Sequence, residues 1–378
     1  IGVTNQLAPF VDMNNNNIYE PLLGEYPYIR GDKTTLLVSN DMASDHTHSM
    51  GEKMGIEVHT MLYQYATADY LNNVTFVNTR VYNRGQHSYA DFKCTFNSDL
   101  DVGFYGDDFV GCDSTRNMVF GYNGDGEDEA GGGSPGYGID PPAIGVVSLN
   151  DQLDGSGYFS IGISDPSDVT SYWNYMNNSW ADGSAWFVGG TGAAGSPGVT
   201  TTPTNYLFSG DPNNGAEWSE VSAANVPGDR RIFMNMNSVA LPSQSDYCYE
   251  FAVVYSREPG NNNLTSVTSL KGKADSVQAF FDLQTDFSCD QVVLGTTELI
   301  ENDFNIYPNP TTGSFTLTLD ESTSNFELII RDMSGRIIQE EQSLNQKTVN
   351  VNLITGTGLY FVTIKSNGIT STKRLVIQ

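Results

Sequence analysis

The chain is short of positive charge. Of its 378 residues, 18 are Lys or Arg and 45 are Asp or Glu, a formal net charge of −27. A surface this acidic repels phosphate backbones and excludes nucleic acid as a partner. Charged residues of both signs reach only 17%, below the ~25% of ordinary soluble domains. No apolar run approaches the ~18 residues of a membrane-spanning helix, so no membrane span is expected. Histidine and cysteine are scarce, at four each. The absence of any CxxC pair or HExxH motif argues against a thiolate zinc site, a thioredoxin-like centre and a zincin. The chain begins Ile1-Gly2-Val3, without Met or a signal peptide, so its start reads as processed or truncated.

What is present is turn-forming and aromatic: 38 Gly, 15 Pro, 20 Tyr and 19 Phe. That composition describes a mainly β chain with enough apolar material for a core, not a disordered one. Charge divides it. Residues 298–378 carry 9 acidic and 6 basic residues, net −3, whereas residues 1–297 carry net −24 together with every cysteine and histidine. A domain boundary therefore falls between 297 and 298, with the polar stretch 296–303 as linker.

In the acidic region, Ile56–Tyr65, Val74–Tyr82 and Asp246–Tyr255 are rich in aromatic and β-branched residues and read as strands. Two segments read as helices. One starts near Asp165-Pro166, with Val169, Trp173 and Met176 spaced along one face; the other covers Val267–Leu283, with a stripe through Leu270, Ala274, Val277 and Phe281. Long Gly/Ser/Asn/Pro loops at Gly121–Gly145 and Asp182–Gly215 are of a kind that holds ligands or partners, or is mobile. The last region shows seven short strands every 8–12 residues: Phe304–Tyr307, Ser314–Leu319, Phe326–Asp332, Ile337–Glu341, Lys347–Asn350, Gly358–Lys365 and Thr370–Ile377. The expected fold is a large β-sandwich-like domain with two helices and long loops, followed by a small seven-stranded Ig-like antiparallel sandwich.

Several motifs in order carry a resemblance in the last ~80 residues: Phe304–Pro310 (FNIYPNP) with Gly313, Arg331–Arg336 (RDMSGR), Gly358–Ile364 (GLYFVTI) and the closing Lys373–Ile377. This region resembles the type A C-terminal sorting domain of type IX secretion cargo in the Bacteroidota. The resemblance implies recognition by the type IX translocon and an outer-membrane shuttle, then release or attachment at the cell surface. Leu7–Asp12, Gly24–Asp32, Asp107–Asp113, Gly121–Asp125 and Gly136–Ala143 resemble segments of large Bacteroidota surface proteins of unknown activity, in which a long segment precedes the motif around Asp12. An acceptor pattern for O-glycosylation in these bacteria is matched at Asp113-Ser114-Thr115. A second match, Asp275-Ser276-Val277, falls in a predicted helix, which favours Ser114.

Three groups of residues are candidates for chemistry. Asp12, Asn14, Asn16 and Glu20 stand at positions 1, 3, 5 and 9 of a calcium-loop-like pattern, with the Ile18 carbonyl at position 7. Position 6 is Asn17 instead of Gly and no Glu stands at 12; Asp32 is a substitute ligand, and a plain Asn-rich turn is the competing reading. Nine acidic residues crowd between Asp99 and Glu129, within which Asp107, Asp108 and Asp113 are a second candidate calcium set, against a solvated acidic loop. His46, His48, Glu57 and His59 offer zinc donors but no spacing known to bind it. The matches to G-x-S-x-G at 132–136 and G-x-G-x-x-G at 131–136 lack a preceding hydrophobic strand and a following helix, and are accidents of composition.

In an extracellular setting the cysteines pair by preference as Cys94–Cys112 and Cys248–Cys289, the shorter loops, with two free buried thiols as the alternative. The favoured function is a non-enzymatic, calcium-stabilised structural or adhesive surface protein, capable of self-association. The rival is a secreted hydrolase of polysaccharide or protein, using Asp107 with Asp108, or Asp165 with Asp168, and Trp173, Trp180 and Trp186 as sugar platforms.

Overall fold

The structure, a computed structural model, describes residues 9–11, 13, 18–160, 164–260, 262–284, 304–319, 326–332, 336–344, 347–366 and 369–378. The chain divides into two units, Ile1–Leu294 and Gly295–Gln378; the expected linker at 296–303 lies outside the described residues.

The first unit is built on a seven-stranded antiparallel sheet. Its members in chain order are β1 (Lys33–Asn40), β2 (Ile56–Gln64), β3 (Val74–Asn83), β5 (Asp108–Asp113), β6 (Met118–Asn123), β7 (Ala143–Ser148) and β10 (Asp246–Ser256). Their spatial order is β1-β2-β3-β10-β7-β6-β5. A three-stranded sheet, in the order β8 (Leu153–Ser160), β9 (Arg230–Met236), β4 (Thr95–Asp99), forms another layer. The three stretches read as strands from the sequence are β2, β3 and β10, which prove to be direct neighbours.

The central strands are apolar at successive positions because both of their faces are covered. In β6, all six residues are buried. Met118, Phe120 and Tyr122 enter one core, and Val119 enters the other. In β10, Ala252 and Val254 face the first core while Tyr249 and Phe251 face the second. A strand with two covered faces loses the apolar–polar alternation of a half-exposed one.

Helix α2 (Asn263–Asp282) covers the first face with Val267, Leu270, Ala274 and Val277, all buried, as its 3.6-residue stripe dictates. Its N-cap is Asn262, which accepts from the Thr265 amide. The second face packs against the three-stranded sheet, helix α1 (Val169–Met176) and the long segment 177–229. Helix α1 starts three residues later than the sequence suggests, because Asp168 and Ser171 form a capping box. Segment 177–229 includes the long loop read as holding ligands or partners, or as mobile. Much of it turns inward instead: Trp186, Phe208 and Glu220 are buried, and Trp186 lies so close to Gly157 that a Cβ there would come within 2.6 Å of its ring.

Polar groups inside the unit are mostly paired. The Arg30 guanidinium donates to Glu250 Oε1 at 2.6 Å, and the Asn78 amide reaches the same oxygen at 2.6 Å. Burial disfavours the Arg30 charge, but the Glu250 charge and hydrogen bond outweigh this and raise its pKa. Removing one partner of such a buried pair costs about 3–5 kcal/mol, because the other charge is left uncompensated.

The cysteines correct one expectation. Cys94 and Cys112 are free thiols, so no bridge joins them. Cys112 sits inside the sheet on β5 facing Ser156, and Cys94 lies beside Asp151. Burial pushes both thiols up to about 12. Their short separation in sequence did not translate into facing side chains. Cys289 lies outside the described residues.

Among the described residues, the second unit contains seven strands in two sheets. The first runs β11 (Phe304–Tyr307), β12 (Ser314–Leu319), β15 (Thr348–Asn352); the second runs β14 (Ile337–Leu344), β13 (Phe326–Asp332), β16 (Gly358–Ser366), β17 (Ile369–Ile377). All pairings are antiparallel. One core, including Phe304, Phe315, Leu328, Ile330, Val362 and Leu375, lies between the sheets, the sandwich arrangement expected from the strand spacing.

Candidate metal centre and the C-terminal unit

The acidic residues of the first unit have separable fates, set by which donors the fold brings to them. Around the Asp12–Glu20 segment, Asp12, Asn14 and Asn16 lie outside the described residues. Ile18 is exposed, and Asp32 accepts from the Ala66 amide at 2.8 Å. The buried carboxylate here is one the sequence reading missed, Glu25. It accepts from the backbone amides of Met13 at 3.2 Å and Glu20 at 2.5 Å. These amides point at a carboxylate, so this part of the loop wraps a side-chain anion. A carboxylate five residues past the loop carries no signal in a calcium-loop pattern.

Asp107, Asp108 and Asp113 do not form one group. Strand β5 begins at Asp108 and ends at Asp113; five residues of extended chain span about 17 Å, too far for one ion. Asp113 sits by helix α2, bonded to Arg116 Nη1 at 2.8 Å and facing Lys271 Nζ at 3.9 Å. Burial raises its pKa, but Thr115, Arg116 and Lys271 together hold it below the usual carboxylate range. It also caps the turn that carries the exposed Ser114.

Asp107 and Asp108 are different. Asp108 is 3% exposed; one oxygen accepts from the Val102 amide at 2.9 Å, and the other has no hydrogen-bond partner. Both oxygens of Asp107 are buried, beside the Asn123 side-chain amide and the Glu129 carboxyl. Burial, reinforced by neighbouring carboxylates and opposed by single hydrogen-bond donors, pushes Asp107 up to about 6 and Asp108 up to about 8. Asp128 lies close enough to contribute to both shifts, but its own oxygens are taken by the amides of Phe104 at 2.9 Å and Tyr137 at 2.5 Å. Gly103, at φ +80°, is required beside it: a Cβ there would fall 1.7 Å from Asp128 Oδ2.

Nearby, Asp99, Asp101 and Asp229 hold carboxylate oxygens within 4.8 Å of one another, a separation compatible with one cation at calcium–oxygen distances of ~2.3–2.6 Å. Arg231 bonds Asp99 at 2.8 Å and partly neutralises the group. Asp229 is about 130 residues from the others in sequence. Only the β9–β4 pairing, with Arg231 opposite Asp99, brings it to them.

The other candidate groups are dispersed. His46 meets the Asp41 carbonyl at 3.0 Å, His48 meets the Tyr172 hydroxyl at 2.8 Å, and His59 meets Glu57 at 3.0 Å. Asp168 is committed to capping α1, and Asp165 lies 3.8 Å from Arg231. Trp173 is exposed, whereas Trp186 is buried.

In the second unit, the YPNP motif is a fastening. Asn309 donates to the Arg374 carbonyl at 2.7 Å and accepts from the Val376 amide at 2.9 Å, so one side chain grips the last strand twice. Thr311 continues the contact, with its amide on Val376 and its carbonyl receiving Gln378. Gly313, at φ +116°, passes so close to the Leu353 carbonyl that a Cβ would come within 2.8 Å.

Residues 305–378 match the family model of the secretion system C-terminal sorting domain. The chain is cargo of type IX secretion with a type A sorting domain. It is secreted to the cell surface or the extracellular space, and no helix among the described residues is long and apolar enough to cross a membrane. No curated protein matches the chain. Among solved structures, a polysaccharide lyase aligns at 8% identity and a TM-score of 0.26, over 85% of this chain and 34% of its own. A β-glucuronidase from Ruminococcus gnavus aligns at 6% and 0.16, over 78% and 46%. The BSP domain of a biofilm-associated protein aligns at 8% and 0.17, over 80% and 49%. The chain spans about a third to a half of these proteins, and likenesses this slight carry no argument.

The environment of Asp113 sets a pH dependence. Its pKa is lower in the folded than in the unfolded state, so its stabilisation is present above the unfolded carboxylate value of about 4 and is lost as pH falls through the folded one. Asp113→Asn should cost about 1.5–3 kcal/mol at neutral pH, as for a lost bond to a charged partner. Melting temperatures from pH 2 to pH 7 should converge with wild type at the acid end; a constant gap across the range would refute this account.

Proposed function

We propose that the chain is a calcium-stabilised structural or adhesive protein of the cell surface, handed to the type IX translocon and an outer-membrane shuttle by its sorting domain. The observation that carries the calcium reading is Asp108: a buried carboxylate with an oxygen lacking any donor, next to a second carboxylate, Asp107, whose oxygens are also buried. A hard cation answers that arrangement, because it supplies charge to several oxygens at once. Asp99, Asp101 and Asp229 offer a second place for one. A Cys248–Cys289 bridge belongs to the same extracellular reading; Cys248, unlike Cys94 and Cys112, is not among the free thiols. Ser114, exposed on its turn, is the proposed glycan acceptor.

Three outcomes follow. Deleting residues 305–378 should trap the remainder in the periplasm, and fusing them to a reporter should carry it to the surface; surface display of the truncated protein would overturn the route. Calcium at about 100 times Kd should stabilise the full chain by about 2.7 kcal/mol over the chelated form. Asp108→Asn should remove most of that gain, and Asp12→Ala with Asn14→Ala should leave it; identical melting curves with chelator and with calcium would defeat the reading. Alkylating the unfolded, non-reduced protein should label Cys94 and Cys112 and spare Cys248 and Cys289. Four labelled cysteines would refute the bridge.

A further inference from the structure

The seven-stranded sheet has two edges, and the fold treats them differently. At the β5 edge, the Cys112 amide donates to the Phe208 carbonyl at 3.2 Å, the Val110 amide to Glu220 Oε1 at 3.0 Å, and the Gly228 amide to the Asp108 carbonyl at 3.0 Å. Segment 177–229 thus closes that edge. At the β1 edge, no backbone hydrogen bond beyond those to β2 engages Lys33–Asn40 among the described residues. Six of its eight residues are exposed, including the last four in a row, with Leu37 at 54% and Val38 at 37%.

Natural sheets guard such an edge with charge, Pro or a bulge. Strand β1 has none of these beyond Lys33: it pairs with β2 through eight consecutive residues without a shift of register, and it contains no Pro and no acidic residue. The segment leading into it adds exposed Leu22, Leu23, Tyr26 and Ile29. At about 3.4 Å per residue, the open edge is roughly 27 Å long.

We infer that β1 is a strand-addition surface whose occupant is the β1 edge of a second copy of this chain, paired antiparallel about a two-fold axis. Charge decides between occupants. Two bodies of net −27 repel each other wherever carboxylates meet, and this strand is free of them. A two-fold axis at Leu37, perpendicular to the sheet, sets Leu37 opposite its own copy, Leu36 opposite Val38, Thr35 opposite Ser39, Thr34 opposite Asn40 and Lys33 opposite Asp41 just past the strand, so that opposite charges meet at both ends. The main chain supplies the hydrogen bonds, and the exposed leucine and valine gain cover. Pairing deepens the structural-subunit reading above, and it fails or stands separately from export and calcium.

Light scattering and sedimentation of the full chain test it. The expected result is a doubling of mass with rising concentration, favoured by added salt, because screening weakens the repulsion between acidic bodies. Amide exchange in β1 should slow as the dimer forms. Leu37→Lys with Val38→Lys should hold the mass at that of a monomer with an unchanged melting temperature, since both side chains are exposed; Val38→Pro is a second variant, which removes a backbone amide that faces away from β2. A wild type that stays monomeric at every concentration and salt would overturn the inference. So would a dimer that persists in both variants, or one whose β1 amides exchange as fast as in the monomer.

Discussion

The first unit depends on burying one sheet on both faces. A seven-stranded sheet with apolar residues on each side needs two covering layers. Helix α2 supplies one by its side-chain stripe. The other is assembled from the three-stranded sheet, α1 and segment 177–229, much of which has no regular structure. That irregular segment is held by specific groups. Glu220, fully buried, accepts from the Val110 amide and pairs with Arg230 at 3.3 Å. A buried charge in a loop is tolerable only when it is satisfied in this way.

The same logic explains how an acidic unit folds. Many of its carboxylates serve as acceptors for backbone amides: Asp41 for Met54, Gly55 and Ile56, Asp128 for Phe104 and Tyr137, Glu25 for Met13 and Glu20. Others pair with the few cations, as Asp113 does with Arg116. Short acidic side chains thereby do the work of turn and loop closure. Against this background Asp108 stands apart, since it is buried with an oxygen that no donor reaches, beside the half-buried Asp107.

The sorting domain shows what a local pattern contains. Its seven strands were legible because each is short, alternating and bounded by turn residues, and because each pairs across one simple core. The helices were legible from their stripes, although the start of α1 shifted to the residue whose side chain completes a capping box. The cysteine preference failed because loop length measures entropy in the unfolded chain and says nothing about which way a strand residue faces.

By itself, the sequence determined the class of each unit, the export route, the helical segments and the central strands β2, β3 and β10, since periodicity and motif order are local properties. Only the tertiary structure decided which carboxylates share a neighbourhood. Asp229 joins Asp99 through a strand pairing across 130 residues of chain, Asp113 leaves Asp108 because an extended strand separates its ends, and Glu25 gathers the amides of Met13 and Glu20. The open edge of β1 and the closed edge of β5 were equally hidden, because an edge is defined by strand order and by what else folds onto it. Neither is written in the strand's own residues.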